Sequence, residues 1–129
     1  MSERYAALKK LSDEFLGVFN RADIDGIMSS FAEDAVYEEF RGKVSDGKAA
    51  IRRSFENLFS DRFGTIRLDE DDTFIDADAG KVMSSWHLHL EMDGRSVALA
   101  GLDLLYFDGS RITRKLTYVQ ARAGLYEPA

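Results

Sequence analysis

The sequence predicts an α+β domain with its helices first and a β-meander after them. Three observations carry this. Apolar residues recur at helical spacing as far as Phe63, they alternate at strand spacing from Val82 onward, and Asp93-Gly94 and Asp108-Gly109 stand where hairpins would turn. With 129 residues, of which 45% are hydrophobic and 31% charged, the chain can bury one full core and is too short to expect two, so residues 1–129 are read as a single domain.

Leu8, Leu11, Phe15, Val18 and Phe19 share one stripe, which predicts an amphipathic helix over residues 4–20 with Phe15 turned inward. Asp23 is a good N-cap for a second helix carrying Ile24, Ile27, Met28 and Phe31. Residues 35–41 read as a short strand, and Asp46-Gly47 precedes a third helix with the stripe Ile51, Phe55, Leu58, Phe59 and Phe63. Residues 65–68 and 73–75 read as short β pieces around the acidic run Asp69, Glu70, Asp71 and Asp72. That run is expected to be a solvated turn, because a calcium loop would need alternating ligands, a mid-loop Gly and a closing Glu.

Three long strands follow. A two-residue turn at Asp93-Gly94 pairs Met92 with Arg95, Leu90 with Val97, Leu88 with Leu99, Trp86 with Gly101 and Ser84 with Asp103, all on one face. This face is the more apolar and is expected to meet the helices, which places an acid, Asp103, in the core beside the room left by Gly101. The cation nearest to it depends on the second turn. A two-residue Asp108-Gly109 turn sets Arg114 opposite Asp103, whereas a three-residue loop sets Lys115 there with Thr117 and Val119 on the inner face.

The opposite face carries Ala98, Ala100, Leu102, Leu104 and Tyr106, a row too apolar to face water as one patch, so a homodimer through this face is expected. His87 and His89 point the same way on that outer face, a spacing that suits metal ligation or paired acid/base work. No third ligand stands at useful spacing, so they are expected to be structural or interface histidines, with no metal site. On the first strand Tyr37, Glu39 and Arg41 share one face and Val36, Glu38 and Phe40 the other, and periodicity alone would bury the second set.

A formal net charge of -6 and a pI near 4.9 argue against nucleic acid or an anionic membrane as the partner, since both reward a basic face. With no Cys there is no disulfide framework and no thiolate chemistry. The start, MSERYAALKKL, has no apolar signal core, and the longest uncharged run, residues 82–90, is far below the ~18 needed to span a bilayer. A cytoplasmic protein with a small hydrophobic ligand as its partner is expected.

The stretch FNRADIDGIMSSFAEDAVYEE, followed by the helix start Gly47-Lys48-Ala49-Ala50-Ile51-Arg52, resembles the nuclear transport factor 2-like (NTF2-like) superfamily. Within it the likeness is to the ketosteroid isomerase and SnoaL-like cyclase branch. The resemblance implies a cone of the cystatin-like kind, three N-terminal helices covering the concave face of a curved, mostly antiparallel sheet. Its dead-end pocket would be lined by Phe15, Phe19, Phe55, Phe59, Trp86, Leu88 and Leu99, with Gly101 and Lys115 also on the wall. Laid against ketosteroid isomerase, Glu39 falls where that family has its general-base Asp and Asp103 where it has the protonated Asp of the oxyanion hole. The family's oxyanion-hole Tyr is Phe15 here, and Tyr37 could donate in its place.

The resemblance thus turns Tyr37 and Glu39 toward the pocket and favours Lys115 over Arg114 as the neighbour of Asp103. Glu39, Asp103 and Tyr37 would be the catalytic residues of a cofactor-independent isomerase or lyase acting on a small hydrophobic carbonyl or hydroxy compound, steroid-, polyketide- or aromatic-like. One alternative is a dehydratase resembling scytalone dehydratase, which a one-residue slip turning His87 and His89 inward would suit. The other is a non-catalytic module for ligand binding or dimerisation.

Overall fold

The computed structural model describes residues 2–121; Met1 and residues 122–129 of the expected single domain lie outside the described residues. Helix α1 (Glu3–Asn20) starts where the Ser2 hydroxyl accepts the Tyr5 N–H, and it buries Leu8, Phe15 and Phe19. Its last residue, Asn20, bonds both the N–H and the carbonyl of Leu68 at 2.7 and 2.9 Å, which fixes α1 against the third strand. Among the described residues no helix is long and apolar enough to cross a membrane.

Asp23 caps α2 (Ile24–Ser29) by accepting the Gly26 N–H, as its position predicts. The helix stops sooner than its apolar spacing suggests, and Phe31 opens β1 (Phe31–Glu38) instead. Two local contacts account for this. The Ser29 and Ser30 hydroxyls bond back to the carbonyls of Asp25 and Gly26, and the Ser30 carbonyl accepts the Ile112 N–H at 2.7 Å, which draws the chain alongside the last strand. β1 therefore starts earlier than expected and ends before Glu39.

A short strand the sequence did not signal, β2 (Val44–Asp46), pairs antiparallel with β1. Gly47, at φ 88°, begins α3 (Lys48–Leu58) with no side-chain cap. Phe59 is the C-cap of α3, and Phe63 belongs to a separate 3-10 turn, Asp61–Phe63. The Ser60 hydroxyl bonds the Asn57 carbonyl at 2.7 Å, a contact that competes with continuing the helix.

β3 (Arg67–Asp76) is one continuous strand, not two pieces around a solvated turn. A bulge between Glu70 and Asp72 absorbs Asp71, so Leu68 and Glu70 pair with the inward Leu88 and Trp86, and Thr73 and Ile75 return to that same face beyond it. β4 (Lys81–Met92) and β5 (Arg95–Asp108) pair in the register counted from the Asp93-Gly94 turn, Ser84 with Asp103 and Trp86 with Gly101 included. Both turn residues have positive φ, 53° and 75°.

The second hairpin follows neither expected count. Asp108 pairs with Arg111, leaving Gly109-Ser110 as the loop, and a bulge then shifts the register by one, so that β6 (Arg111–Val119) sets Leu105 opposite Lys115 and Asp103 opposite Thr117. Lys115 and Thr117 consequently face inward, and Arg114 turns outward to Glu38 at 3.1 Å. Among the described residues six strands run in the order β2-β1-β6-β5-β4-β3, with only β1 and β6 parallel. Leu8, Ile27, Phe31, Ile51, Phe55, Val82 and Ile112 are fully buried between the helices and the inner face.

Candidate functional site

Where the three helices leave the inner face uncovered, a cavity of about 100 Å³ remains. Its apolar wall includes Phe15 and Phe19 from α1, Phe55 from α3, Trp86 and Leu88 from β4, and Leu99 from β5. Two residues expected in the wall are not there. Phe59 lies behind Phe19, edge-on with ring centroids 5.1 Å apart. Gly101 lies beneath Trp86, where an added Cβ would fall 2.6 Å from the indole, so the glycine seats the ring without touching the cavity.

The parallel register pairs Tyr37 with Lys115, and both side chains are buried on the inner face. Strand periodicity alone would have buried Phe40, which is 51% exposed. Tyr37 stacks on Phe55 with centroids 5.4 Å apart and 12° between planes, and Glu39 lines the cavity just past the strand end. Burial pushes the Tyr37 phenol above its ordinary pKa of 10.0, and the Lys115 charge offsets only part of that, so the phenol stays a proton donor at neutral pH.

Asp103 is held from three sides. Its Oδ1 accepts from Lys115 Nζ at 3.1 Å and from Thr117 Oγ1 at 2.5 Å, while Oδ2 accepts from Trp86 Nε1 at 3.1 Å. Lys115 also donates to Thr117 Oγ1 at 2.7 Å and sits 4.2 Å from the Tyr37 ring centroid. The Asp103–Lys115 ion pair is buried, with side chains 9% and 5% exposed. Burial by itself would lower the Lys115 pKa, but the Asp103 carboxylate, with Tyr37 beside it, outweighs burial and raises it above 10.5. In this arrangement Asp103 accepts from all three neighbours, where the ketosteroid isomerase likeness implied a donor.

Two further carboxylates face the cavity, each bonded to a serine. Ser54 Oγ donates to Glu39 Oε1 at 2.6 Å, and Ser84 Oγ donates to Glu70 Oε2 at 2.7 Å. Sequence reasoning missed Glu70 and Ser54 as wall residues, set Ser84 on the inner face without naming it in the wall, and left Thr117 conditional on the turn. The signal for Glu70 was its two-residue spacing from Leu68, hidden by three flanking acids that suggested a turn.

His87 and His89 lie on the outer face, bonded to Asp71 at 2.7 Å and Asp69 at 2.9 Å, so the inward His pair that a scytalone dehydratase-like pocket would need is not formed. The Arg67 guanidinium beside Asp69 holds that carboxyl below its usual range. Among the described residues no three His, Asp or Glu side chains form a metal-binding group.

Against known proteins, the SnoaL-like domain model matches residues 13–115. No curated protein matches in sequence. A protein from Xanthomonas campestris pv. campestris proposed to be a polyketide cyclase superposes with a TM-score of 0.83 at 19% identity, covering 92% of this chain and 93% of that one. An NTF2-like protein of unknown function from Burkholderia pseudomallei gives 0.78 at 16% identity, covering 93% and 92%. An epoxide hydrolase of the LEH-like kind from M. tuberculosis gives 0.77 at 17% identity, covering 90% and 84%. These likenesses establish the NTF2-like fold.

Proposed function

Because the chain belongs to the SnoaL-like domain family, within the NTF2-like superfamily, we propose that its cavity is the active site of a cofactor-independent acid/base enzyme. The reaction is an isomerisation or an elimination on a small hydrophobic carbonyl or hydroxy compound. The observation that carries this reading is the meeting, in one apolar cavity, of a carboxylate with a free oxygen and a phenol–ammonium corner.

Glu39 is the base. Ser54 occupies its Oε1, which leaves Oε2 to take a proton from the carbon next to a substrate carbonyl. As the C–H bond breaks, charge moves to the carbonyl oxygen, where the neutral Tyr37 phenol donates a hydrogen bond and the Lys115 charge lies close behind. Asp103 acts through Lys115 and Thr117, holding the ammonium charged and in place. The proton on Glu39 then returns to a second carbon, which isomerises the substrate, or goes to a departing hydroxyl, which eliminates water. The aromatic walls keep bulk water from quenching the enolate. Structural relatives proposed or described as a polyketide cyclase and an epoxide hydrolase support a small-molecule reaction in this fold.

A non-catalytic binding module is the second reading, favoured by the closed hydrogen bonding of Asp103, whose carboxylate can give nothing to a ligand. One experiment separates the two. On any substrate found by screening carbonyl and hydroxy compounds, Glu39→Gln is expected to lower kcat by at least about 100-fold with the fold intact. Ligand binding followed by Trp86 fluorescence should persist. Unchanged turnover would place the base elsewhere, and binding without turnover by the unmodified chain across the screen would favour the module.

A further inference from the structure

The charges around the cavity do not balance. Among the described residues three carboxylates line it, Asp103, Glu39 and Glu70, against one ammonium, Lys115. Asp103 and Lys115 cancel each other on the floor. Among the described residues neither Glu39 nor Glu70 has a cation at ion-pair distance, and each is bonded only to a serine hydroxyl. Lys9 lies within electrostatic range of Glu70, but its ammonium is bonded to Asp13 at 2.6 Å on the exposed side of α1. Two negative charges therefore remain in a mostly apolar wall. Among the described residues each of these carboxylates also keeps one oxygen, Oε2 of Glu39 and Oε1 of Glu70, without a side-chain donor.

We propose that the cavity selects a hydrophobic amine over a carboxylate of the same size, with Glu70 receiving the ammonium group and the Glu39 charge adding to its attraction. This rests on the proposed reading only in taking the cavity as the ligand site; it narrows the substrate class to carbonyl or hydroxy compounds that also carry a basic nitrogen. Two physical arguments point the same way. An ammonium has three N–H donors and would satisfy the free Glu70 oxygen while neutralising one of the two charges. The aromatic rings of Phe15, Phe19 and Trp86 in the wall also attract a cation, through the negative side of the quadrupole. A ligand carboxylate would meet two like charges in a poorly screened site, and the one ammonium there is already taken by Asp103.

Three probes of matched size test this: phenethylamine, 2-phenylethanol and phenylacetate. Each is titrated into the unmodified chain at neutral pH, with Trp86, the only tryptophan, as the fluorescence reporter and calorimetry as a check. Phenethylamine is expected to bind about tenfold tighter than 2-phenylethanol and phenylacetate to bind weakest. Glu39→Gln and Glu70→Gln, made separately and together, should weaken the amine stepwise and by more than they weaken the alcohol. Phenylacetate or the alcohol binding as tightly as the amine would overturn charge selection while leaving the cavity as a ligand site. So would an amine preference that persists in the double variant. Failure of all three probes to bind would overturn the inference and, with it, the use of the cavity for small aromatic ligands.

Discussion

Replacing Asp103 with Asn tests the buried pair that organises the floor of the cavity. The change keeps the shape of the side chain, removes its charge and leaves the Lys115 ammonium, 5% exposed, with no carboxylate against it. Removing one partner of a buried pair costs about 3–5 kcal/mol, because the surviving charge is stranded. Lys115 can escape by releasing its proton, but from an unperturbed pKa near 10.4 that costs about 4.6 kcal/mol at pH 7, so the escape route is no easier. Asn also has a single acceptor oxygen where Trp86 and Thr117 now donate to two, and one displaced donor adds about 1 kcal/mol.

The assay is urea unfolding at pH 7, followed by Trp86 fluorescence and by far-ultraviolet circular dichroism. With a slope of about 2 kcal/mol per molar urea for a domain of this size, the midpoint should fall by about 2 M. Adding Lys115→Met to Asp103→Asn removes the stranded charge and should recover most of the loss, a coupling that a double-mutant cycle reads directly. A loss below about 1 kcal/mol in Asp103→Asn, or a double variant no more stable than the single one, would refute the buried pair as the organising contact.

Gly101→Ala should destabilise by about 1–3 kcal/mol, the usual cost of overpacking, because its Cβ would collide with the Trp86 ring and the Tyr118 carbonyl; a melting temperature equal to the parent's would show that the ring has room to move. Lys115 and Tyr37 both have folded pKa values above their ordinary 10.5 and 10.0, so both hold a proton more tightly when folded. Their stabilisation is then fully present at neutral pH and is lost as pH rises through the raised values, so stability should be flat to about pH 9 and fall above about pH 10. Lys115→Met should flatten that fall, and an equally steep decline in the variant would assign it to other groups. The outer face, where Tyr118 is 55% and Phe74 64% exposed beside Leu102 and Leu104, is proposed as a homodimer interface. Sedimentation at micromolar concentration should give a dimer that Leu104→Glu dissociates, and a monomeric parent would end that proposal.

The elements that the sequence made legible are those with strong local signals. Ser2 and Asp23 start their helices by accepting backbone N–H groups, a preference readable from residue type alone. Asp93-Gly94 sets the β4–β5 register because a tight turn with two positive φ angles leaves one pairing, and that register buries Asp103 against Ser84 and Trp86. The inward turn of Tyr37 and Glu39 was not legible from β1 itself. Val36, Glu38 and Phe40 are the more apolar set on balance, and only the family likeness pointed the other way.

What the sequence hid has a common cause, the breaks in the ladder. Register shifts occur between Phe31 and Val36 in β1, between Glu70 and Asp72 in β3, and beside Tyr106 and Phe107 where β5 meets β6. These are the places where the expected strand start, the expected acidic turn and the expected hairpin count each failed. An extra residue in one strand changes which face every later side chain meets, yet it leaves no mark in composition, because any residue that tolerates a kink can occupy it. The site depends on these breaks. The shift in β1 puts Tyr37 beside Lys115, the shift after Tyr106 turns Lys115 and Thr117 inward toward Asp103, and the bulge at Asp71 lets Glu70 face the cavity while Thr73 and Ile75 still face the core. Deleting Asp71 should therefore close the bulge into one unbroken ladder, with Asp72 following Glu70 opposite Ser85, and leave both Glu70 in the cavity and Ile75 opposite Val82.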